Sequence, residues 1–273
     1  MRILCCGDVV GKSGRQVIEE HIPELRRKLS LDLVLVNGEN AAHGFGITEK
    51  ICKSFYDIGV DVITTGNHVW DQREIMNYID SDPRLLRPLN YPKGTPGKGS
   101  AVIEIADGRK VLVVHPMGRL FMEPLDDPFF GVDKAFAGHT LGETVDAVVV
   151  DMHADITSEK MAMGHFCDGR ASVVVGTHSH VPTADRQILP GGTAYQTDMG
   201  MCGDYDSVIG MVKETAIARF TSKLPTGRLA PAEGDGTLCG VFVETDDTTG
   251  LALRIEPVRV GGRLAQSVPE VSS

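Results

Sequence analysis

Apolar residues in the first third of the chain fall into two alternating patterns. Short apolar runs at 3–6, 32–36 and 60–64 have the length of buried strands. Between these runs, apolar residues recur every three or four positions, which predicts helices at about 14–29 and 48–59. This alternation of strand and helix favours a parallel sheet.

The rest of the sequence predicts more strands and helices around one irregular region. Further strands are expected at 101–105, 110–114, 147–150, 172–176, 238–245 and 251–260, with a hairpin across 187–197. Helices are expected at 71–80, 157–166 and 207–222, and residues 116–144 show no regular pattern. Because we find no internal repeat and no linker, we expect a single domain over 1–265 and a disordered tail at 266–273.

Composition narrows the range of functions. The 273 residues carry a net charge of −10, with a pI of about 5.4. An extended nucleic-acid groove gains its affinity from lysine and arginine on phosphates, so we expect no such groove. A small phosphate ester stays open as a substrate, because bound metal ions can supply positive charge locally.

Cysteine usage and the first residues favour a cytoplasmic protein. The six cysteines are scattered without C-x-x-C spacing, which is typical of reduced thiols rather than of a disulfide framework. The apolar run after Met1 is too short for a signal peptide, and we expect no membrane span. The sequence is compatible with a homo-oligomer.

Potential metal ligands follow several of the expected strands. His178 and His180 come after the apolar run 172–176, and side chains two residues apart point the same way on extended backbone. Ligands bind open α/β sheets outside the carboxyl ends of the strands. The other strand ends carry Asp8, Glu39, Asn40, Asn67, His68 and His153.

The donor types in this set favour a transition metal. Mixed oxygen and imidazole donors suit zinc, manganese or iron more than calcium or magnesium. One tetrahedral ion needs about four ligands, so the seven candidates other than His68 suggest two ions that share a carboxylate. Taken alone, Asp8 can cap a helix, Asn67 can occupy a turn and His153 can be a core residue. Their joint occurrence at strand ends favours the metal site.

A nucleotide triphosphatase is an alternative that rests on Gly11-Lys12-Ser13. The phosphate-binding pattern G-x-x-x-x-G-K-[ST] needs a glycine at position 6, where this chain has Cys6. Gly7 is one residue too close, and Asp8 would have no role. We therefore disfavour this alternative.

The same residues resemble a known family. Gly7-Asp8, Gly38-Glu39-Asn40, Gly66-Asn67-His68, His153 and Gly176–His180 resemble the ordered motifs of calcineurin-like metallophosphoesterases. Two positions depart from the usual pattern, since Val10 replaces a histidine and Glu39 replaces an aspartate. These departures, with the stretches 38–42, 153–160, 177–185 and 196–201, are similar to the YmdB-type branch.

The resemblance implies a fold, a cofactor and an activity. The implied fold is α/β, a two-sheet β-sandwich flanked by helices in the order α/β/β/α. The implied cofactor is a pair of divalent or mixed-valence ions, iron or manganese. The implied substrate is a small phosphodiester, a cyclic nucleotide, with 2′,3′-cyclic monophosphates preferred.

The resemblance also implies a role for each site residue. One ion would be held by Asp8, Glu39, Asn40 and His180. The other would be held by Glu39, Asn67, His153 and His178, with Glu39 as the bridge. Asn40 would take the place of the imidazole that Val10 removes. In the implied mechanism a metal-bridging hydroxide attacks phosphorus in line, and His68 protonates the leaving alkoxide.

Three other functions stay open at this point. A phosphomonoesterase would use the same ions. A regulatory protein could bind metal or nucleotide with little turnover, although His68 argues against it. A third alternative is metal-dependent hydrolysis of a bond other than a phosphate ester.

Overall fold

The computed structural model describes residues 1–222 and 227–271, which contain the following elements. The strands are β1 (Arg2–Cys6), β2 (Asp8–Val9), β3 (Leu33–Asn37), β4 (Val62–Thr64), β5 (Leu85–Leu86), β6 (Ser100–Glu104), β7 (Lys110–Val114), β8 (Ala147–His153), β9 (Val173–Thr177), β10 (Gln187–Ile188), β11 (Ala194–Gln196), β12 (Met201–Asp204), β13 (Gly236–Thr245) and β14 (Ala252–Gly261). The helices are α1 (Gly11–Lys28), α2 (Glu49–Asp57), α3 (Ile75–Tyr78), α4 (Pro128–Phe136), α5 (Thr157–Cys167) and α6 (Lys213–Thr221), with a 3₁₀ turn at Ile79–Ser81.

The strands form two sheets. Sheet I has the order β2-β12-β13-β1-β3-β4-β5, and β14 pairs with the other edge of β13. Sheet II has the order β10-β11-β9-β8-β7-β6. In sheet I, β1, β3, β4 and β5 run parallel, whereas β13 joins β1 antiparallel. The parallel core follows from the alternation of strand and helix, and the C-terminal hairpin β13–β14 completes the sheet.

The two sheets pack face to face, and helices cover their outer faces. In β1, Ile3 and Cys5 point into the core between the sheets, whereas Leu4 and Cys6 point toward α1 and α2. Successive side chains of a strand point to opposite faces, and both faces are buried here. The strands are therefore apolar at nearly every position. Helices α4 and α5 cover sheet II through Val132 and Met163. The result is the α/β/β/α sandwich that the family resemblance implies.

Local signals account for the helix boundaries. The predicted cap of α2 is confirmed, because Thr48 Oγ1 accepts a hydrogen bond of 3.3 Å from Ile51 N. Helix α4 lies in the region predicted to be irregular. It begins with a clear signal, since Asp127 accepts hydrogen bonds from two backbone N–H groups and Pro128 occupies the first turn.

The C-terminal segment differs from the predicted disordered tail. Ser267 exchanges two backbone hydrogen bonds with Arg259 in β14. Val268 and Val271 pack against the core of sheet I, which orders residues 266–271. Ser272 and Ser273 belong to the predicted tail but lie outside the described residues. Within the described part of the chain, no helix has the length and apolar character needed to cross a membrane.

Candidate metal centre

The predicted ligand candidates meet at one edge of the sandwich. Asp8 begins β2, Glu39 and Asn40 follow β3, and Asn67 follows β4, all in sheet I. In sheet II, His153 ends β8, whereas His178 and His180 follow β9. Because the carboxyl ends of the parallel strands of both sheets face this edge, residues more than a hundred positions apart come into contact.

One group of ligand atoms surrounds His153 Nε2. This nitrogen lies 3.0 Å from Asn67 Oδ1, 3.1 Å from His178 Nδ1 and 3.2 Å from Glu39 Oε2. A single N–H cannot serve three such neighbours at once. Ligands bound about 2.1 Å from one ion at right angles lie about 3 Å apart, so a shared cation fits this spacing.

A second group surrounds Asp8. Ligand atoms of Asp8, Glu39 and His180 all lie within 4.8 Å of one another, as do those of Glu39, His153 and His178. Glu39 therefore belongs to both groups. Asp8 Oδ1 is buried and has no hydrogen-bond partner among the described residues. An unsatisfied buried carboxylate oxygen is costly, and a bound cation would satisfy it.

Asn40 lies in the second group, and its amide can be oriented in two ways. Its Nδ2 lies 2.9 Å from Glu39 Oε1 and 3.2 Å from His180 Nε2, whereas its buried Oδ1 has no partner in the described chain. Oxygen and nitrogen of an amide are exchanged by a half-turn of the side chain. After this turn, Oδ1 would face the same point as Glu39 and His180 and could bind a cation.

The backbone at His178 and His180 differs from the extended form that we expected. The φ angles are 90° at His178 and 63° at His180, in the left-handed region. The imidazole of His178 therefore joins the group around His153, and that of His180 joins the group around Asp8. Hydrogen bonds hold this conformation: His178 N donates to Asp8 Oδ2 over 3.1 Å and Ser179 N donates to Asp198 Oδ2 over 3.1 Å.

The electrostatics of the site suit cation binding. Burial and the adjacent Glu39 raise the pKa of Asp8 well above its ordinary value. Burial alone would raise the pKa of Glu39, but the charge and hydrogen bond of His153 bring that pKa below its ordinary value. Burial and His153 lower the pKa of His178 to about 3. At neutral pH this imidazole is therefore uncharged, as metal ligation requires.

His68 lies beside the ligand groups and is accessible. Its backbone N lies 3.4 Å from Glu39 Oε2, and its side chain is 31% exposed. Asp71 Oδ2 accepts from His68 Nδ1 over 2.9 Å, and the Phe45 ring lies edge-on to the imidazole with centroids 5.0 Å apart. These contacts orient the ring, and no described residue bonds its Nε2.

Several residues that shape the site were not predicted from the sequence. A Cβ at Gly66 would lie 2.0 Å from Glu39 Oε2 and 2.4 Å from His153 Nε2, so only glycine fits there. Lys160 and Asp198 form a buried ion pair of 2.7 Å with side chains that are each 1% exposed. Lysine is almost never buried unless it is paired. The position of Lys160 on the inner face of α5 was therefore the signal in the sequence that indicated a buried acidic partner.

Val10 occupies the position where the resembling family has a histidine. It is 1% exposed and packs with Met201 and Met211, with Phe45 and Tyr205 at the edge of the cluster. This position is therefore part of a small apolar cluster and offers no metal ligand. The remaining histidines lie elsewhere, except His115, which is buried with its ring 6.1 Å from the His153 ring.

Known proteins are similar to this chain in sequence. The profile of the YmdB-like protein family matches residues 4–258. The chain is 50% identical over 260 residues to the 2′,3′-cyclic-nucleotide 2′-phosphodiesterase of Bacillus subtilis (strain 168), covering 95% of this chain and 97% of that protein.

Two solved structures have the same fold. A hypothetical protein from Thermus thermophilus is 42% identical, with a TM-score of 0.88, covering 96% of this chain and 100% of that chain. A novel phosphatase from Mycoplasma pneumoniae is 34% identical, with a TM-score of 0.87, covering 96% of this chain and 93% of that chain. The predicted fold class is thereby confirmed, and with the family profile these matches show that the chain belongs to the YmdB-like protein family.

Proposed function

We propose that this protein is a di-metal phosphodiesterase that hydrolyses cyclic nucleotides, with 2′,3′-cyclic monophosphates preferred. The observation that carries the proposal is the position of Glu39, which contributes a carboxylate to both potential metal-binding groups. A carboxylate shared by two adjacent ligand groups is what a two-ion centre requires. The relative from Bacillus subtilis, which is named for activity on 2′,3′-cyclic nucleotides, supports the choice of substrate.

The proposed ligand sets follow the two groups. One ion would be held by Asp8, Glu39, Asn40 and His180, and the other by Glu39, Asn67, His153 and His178. Mixed nitrogen and oxygen donors suit iron or manganese, which we propose as the native metals. When bound, two such ions would activate water at neutral pH and neutralise charge on the phosphate.

His68 is the proposed proton donor. Opening a 2′,3′-cyclic phosphate produces a ribose alkoxide, which needs a proton as it leaves. His68 is partly exposed beside the ligand groups and is held by Asp71 through Nδ1, so its Nε2 can carry that proton. Asp71 acts through His68 and is therefore a positioning residue.

A phosphomonoesterase with the same ions is the second candidate. The relative from Mycoplasma pneumoniae is described as a phosphatase, and the ligand groups do not distinguish the two reactions. A monoester carries more negative charge and has no second ester group. Rates with p-nitrophenyl phosphate and bis-p-nitrophenyl phosphate separate the two activities.

The decisive experiment is a substrate panel with defined metal content. Purified protein is stripped by chelation, reloaded with Mn²⁺ or Fe²⁺, and assayed with 2′,3′- and 3′,5′-cyclic nucleotides. We expect no turnover after chelation, full recovery on reloading and the highest rates with 2′,3′-cyclic monophosphates. Turnover that survives exhaustive chelation would contradict the metal centre, and a preference for p-nitrophenyl phosphate would favour the monoesterase.

The proposal extends to the location of the enzyme, the size of its substrate and its domain organisation. We propose a cytoplasmic enzyme with a small-molecule substrate and a single domain, which includes the packed segment 266–271 as well as residues 1–265. The two sheets share one apolar core, which supports the single domain.

A further inference from the structure

A layer of polar side chains closes the core between the sheets directly beneath the ligand groups. On this face the strands carry apolar residues up to Leu35 in β3, Val62 in β4, Val149 in β8 and Val175 in β9. Two positions further along each strand, on the same face, the side chain becomes polar. These four strands contribute Asn37, Thr64, Asp151 and Thr177 to the polar layer, and all four are fully buried. His115, two positions after Val113, is also fully buried there, with its Nδ1 3.4 Å from Asp151 Oδ2.

Asp151 is the acceptor at the centre of the polar layer. Thr177 Oγ1 donates to its Oδ1 over 2.7 Å, and Thr64 Oγ1 donates to its Oδ2 over 2.6 Å. Asn37 Nδ2 also donates to Oδ2, over 3.2 Å. The donors come from both sheets. Burying a carboxylate is costly unless it is hydrogen-bonded, and Asp151 meets this condition through donors from both sheets.

The hydroxyl of Thr177 connects Asp151 to His153. Thr177 Oγ1 lies 2.9 Å from His153 Nδ1 and 2.7 Å from Asp151 Oδ1. A hydroxyl has one hydrogen, and an ionised carboxylate can only accept. Thr177 must therefore give its hydrogen to Asp151 and accept one from His153. Nδ1 of His153 therefore carries a proton. Whenever the imidazole is neutral, this proton stays on Nδ1 and the lone pair of Nε2 faces Glu39, Asn67 and His178.

Asn37 connects Asp151 to Glu39 in the same way. Its Nδ2 donates to Asp151 Oδ2 and, over 2.7 Å, to Thr65 O. Both partners are acceptors, so the orientation of the amide is fixed and Oδ1 must point the other way. This Oδ1 accepts from Glu39 N over 3.1 Å. The backbone at the shared carboxylate is thereby tied to the same buried aspartate.

We propose that Asp151 is a positioning residue that acts on ligands from both sheets, through Thr177 on His153 and through Asn37 on Glu39. Through Thr177 it fixes His153 as the tautomer with the proton on Nδ1. A histidine in the other tautomer would point an N–H at the ligand groups and could not bind a cation there. The inference rests on the proposed metal centre for its consequence, although the position of the proton is a property of the metal-free protein.

The test uses Thr177→Val, which removes the hydroxyl, and Thr177→Ser, which keeps it. Long-range ¹H–¹⁵N NMR of metal-free, histidine-labelled protein reports the tautomer, and His153→Gln identifies the signal of His153. We expect the Nδ1–H tautomer in the wild type and in Thr177→Ser, and its loss in Thr177→Val. Titration with Mn²⁺ should show an affinity about 10–100-fold lower for Thr177→Val and near wild type for Thr177→Ser.

Other outcomes overturn the inference or separate it from the proposed function. An Nε2–H tautomer in the wild type overturns it, as does Mn²⁺ affinity that is unchanged in Thr177→Val. If Thr177→Val does not fold, Asp151→Asn provides the same comparison, because an amide can donate to Thr177 and reverse the chain of hydrogen bonds. An Nδ1–H tautomer in a protein that binds no Mn²⁺ supports the inference and contradicts the metal centre.

Discussion

Glu39 Oε2 lies 3.2 Å from His153 Nε2, although Glu39 follows a strand of sheet I and His153 ends a strand of sheet II. This contact joins the two sheets at the edge where both ligand groups form. Since Glu39 belongs to both groups, its replacement affects both proposed ions, whereas the other ligands each affect one.

Glu39→Gln is therefore expected to reduce the binding of both ions. The amide keeps the shape of the side chain but removes the negative charge that two cations would share. Mutation of a residue that only hydrogen-bonds to a metal ligand typically lowers metal affinity roughly 10–100-fold. We expect the affinity of Glu39→Gln for Mn²⁺ to fall by more than this. Metal analysis after gel filtration measures this, with the exposed Glu49→Gln as control. Retention of two ions per chain would show that Glu39 is not the bridge.

His68→Ala is expected to keep the metals and lose turnover. The side chain lies beside the ligand groups but belongs to neither of them. Removal of a general acid costs on the order of 10²–10⁴-fold in rate. Metal content and 2′,3′-cyclic nucleotide hydrolysis are measured on the same preparation. His43→Ala, at an exposed histidine of a nearby loop, is the control. A wild-type rate in His68→Ala would remove this residue from the mechanism.

Gly66→Ala is expected to disrupt the site although the change is a single methyl group. The added Cβ would fall 2.0 Å from Glu39 Oε2, so the carboxylate must move away from His153. We expect weaker Mn²⁺ binding and a loss of about 1–3 kcal/mol of stability from overpacking. Gly227→Ala is the control, because its Cβ would meet Thr215 Cγ2 at an ordinary 3.5 Å. Equal metal affinity in the two variants would contradict the geometry described here.

Lys160→Met is expected to destabilise the protein strongly. It leaves the Asp198 carboxylate buried without its cation, and removing one partner of a buried pair costs about 3–5 kcal/mol. Urea unfolding of the metal-free protein measures the loss. In the control Lys213→Met, the broken ion pair with Asp206 is exposed to solvent, and we expect only a small change in the free energy of unfolding. A loss in Lys160→Met no larger than in this control would mean that the Asp198 carboxylate needs no cation.

The sequence predicted where the candidate ligands lie, because each follows an apolar run and such runs end at a common edge. It did not predict the backbone at His178 and His180, since left-handed φ angles at histidine depend on hydrogen bonds from the backbone to Asp8 and Asp198. Those partners are distant in sequence. Strand β12 was also missed, because its run at Met201–Asp204 is short and contains a glycine.

The polar layer could have been found from the sequence. Asn37, Thr64, Asp151 and Thr177 each stand two positions after an apolar residue of the same face. The two-residue period of a strand predicts that these polar residues continue its inner face. What the sequence could not supply is the direction of the hydrogen bonds, which depends on four strands in register.

The order of strands in sheet I has a consequence for how the protein is made. Strand β1 lies between β3 and β13, so one of its two edges stays open until the chain beyond Gly236 has left the ribosome. Pairing that waits for a distant segment is slow and leaves an exposed edge in the meantime. We therefore expect that the nascent chain cannot hold the proposed ions at Asp8 until β13 has been synthesised and has paired with β1.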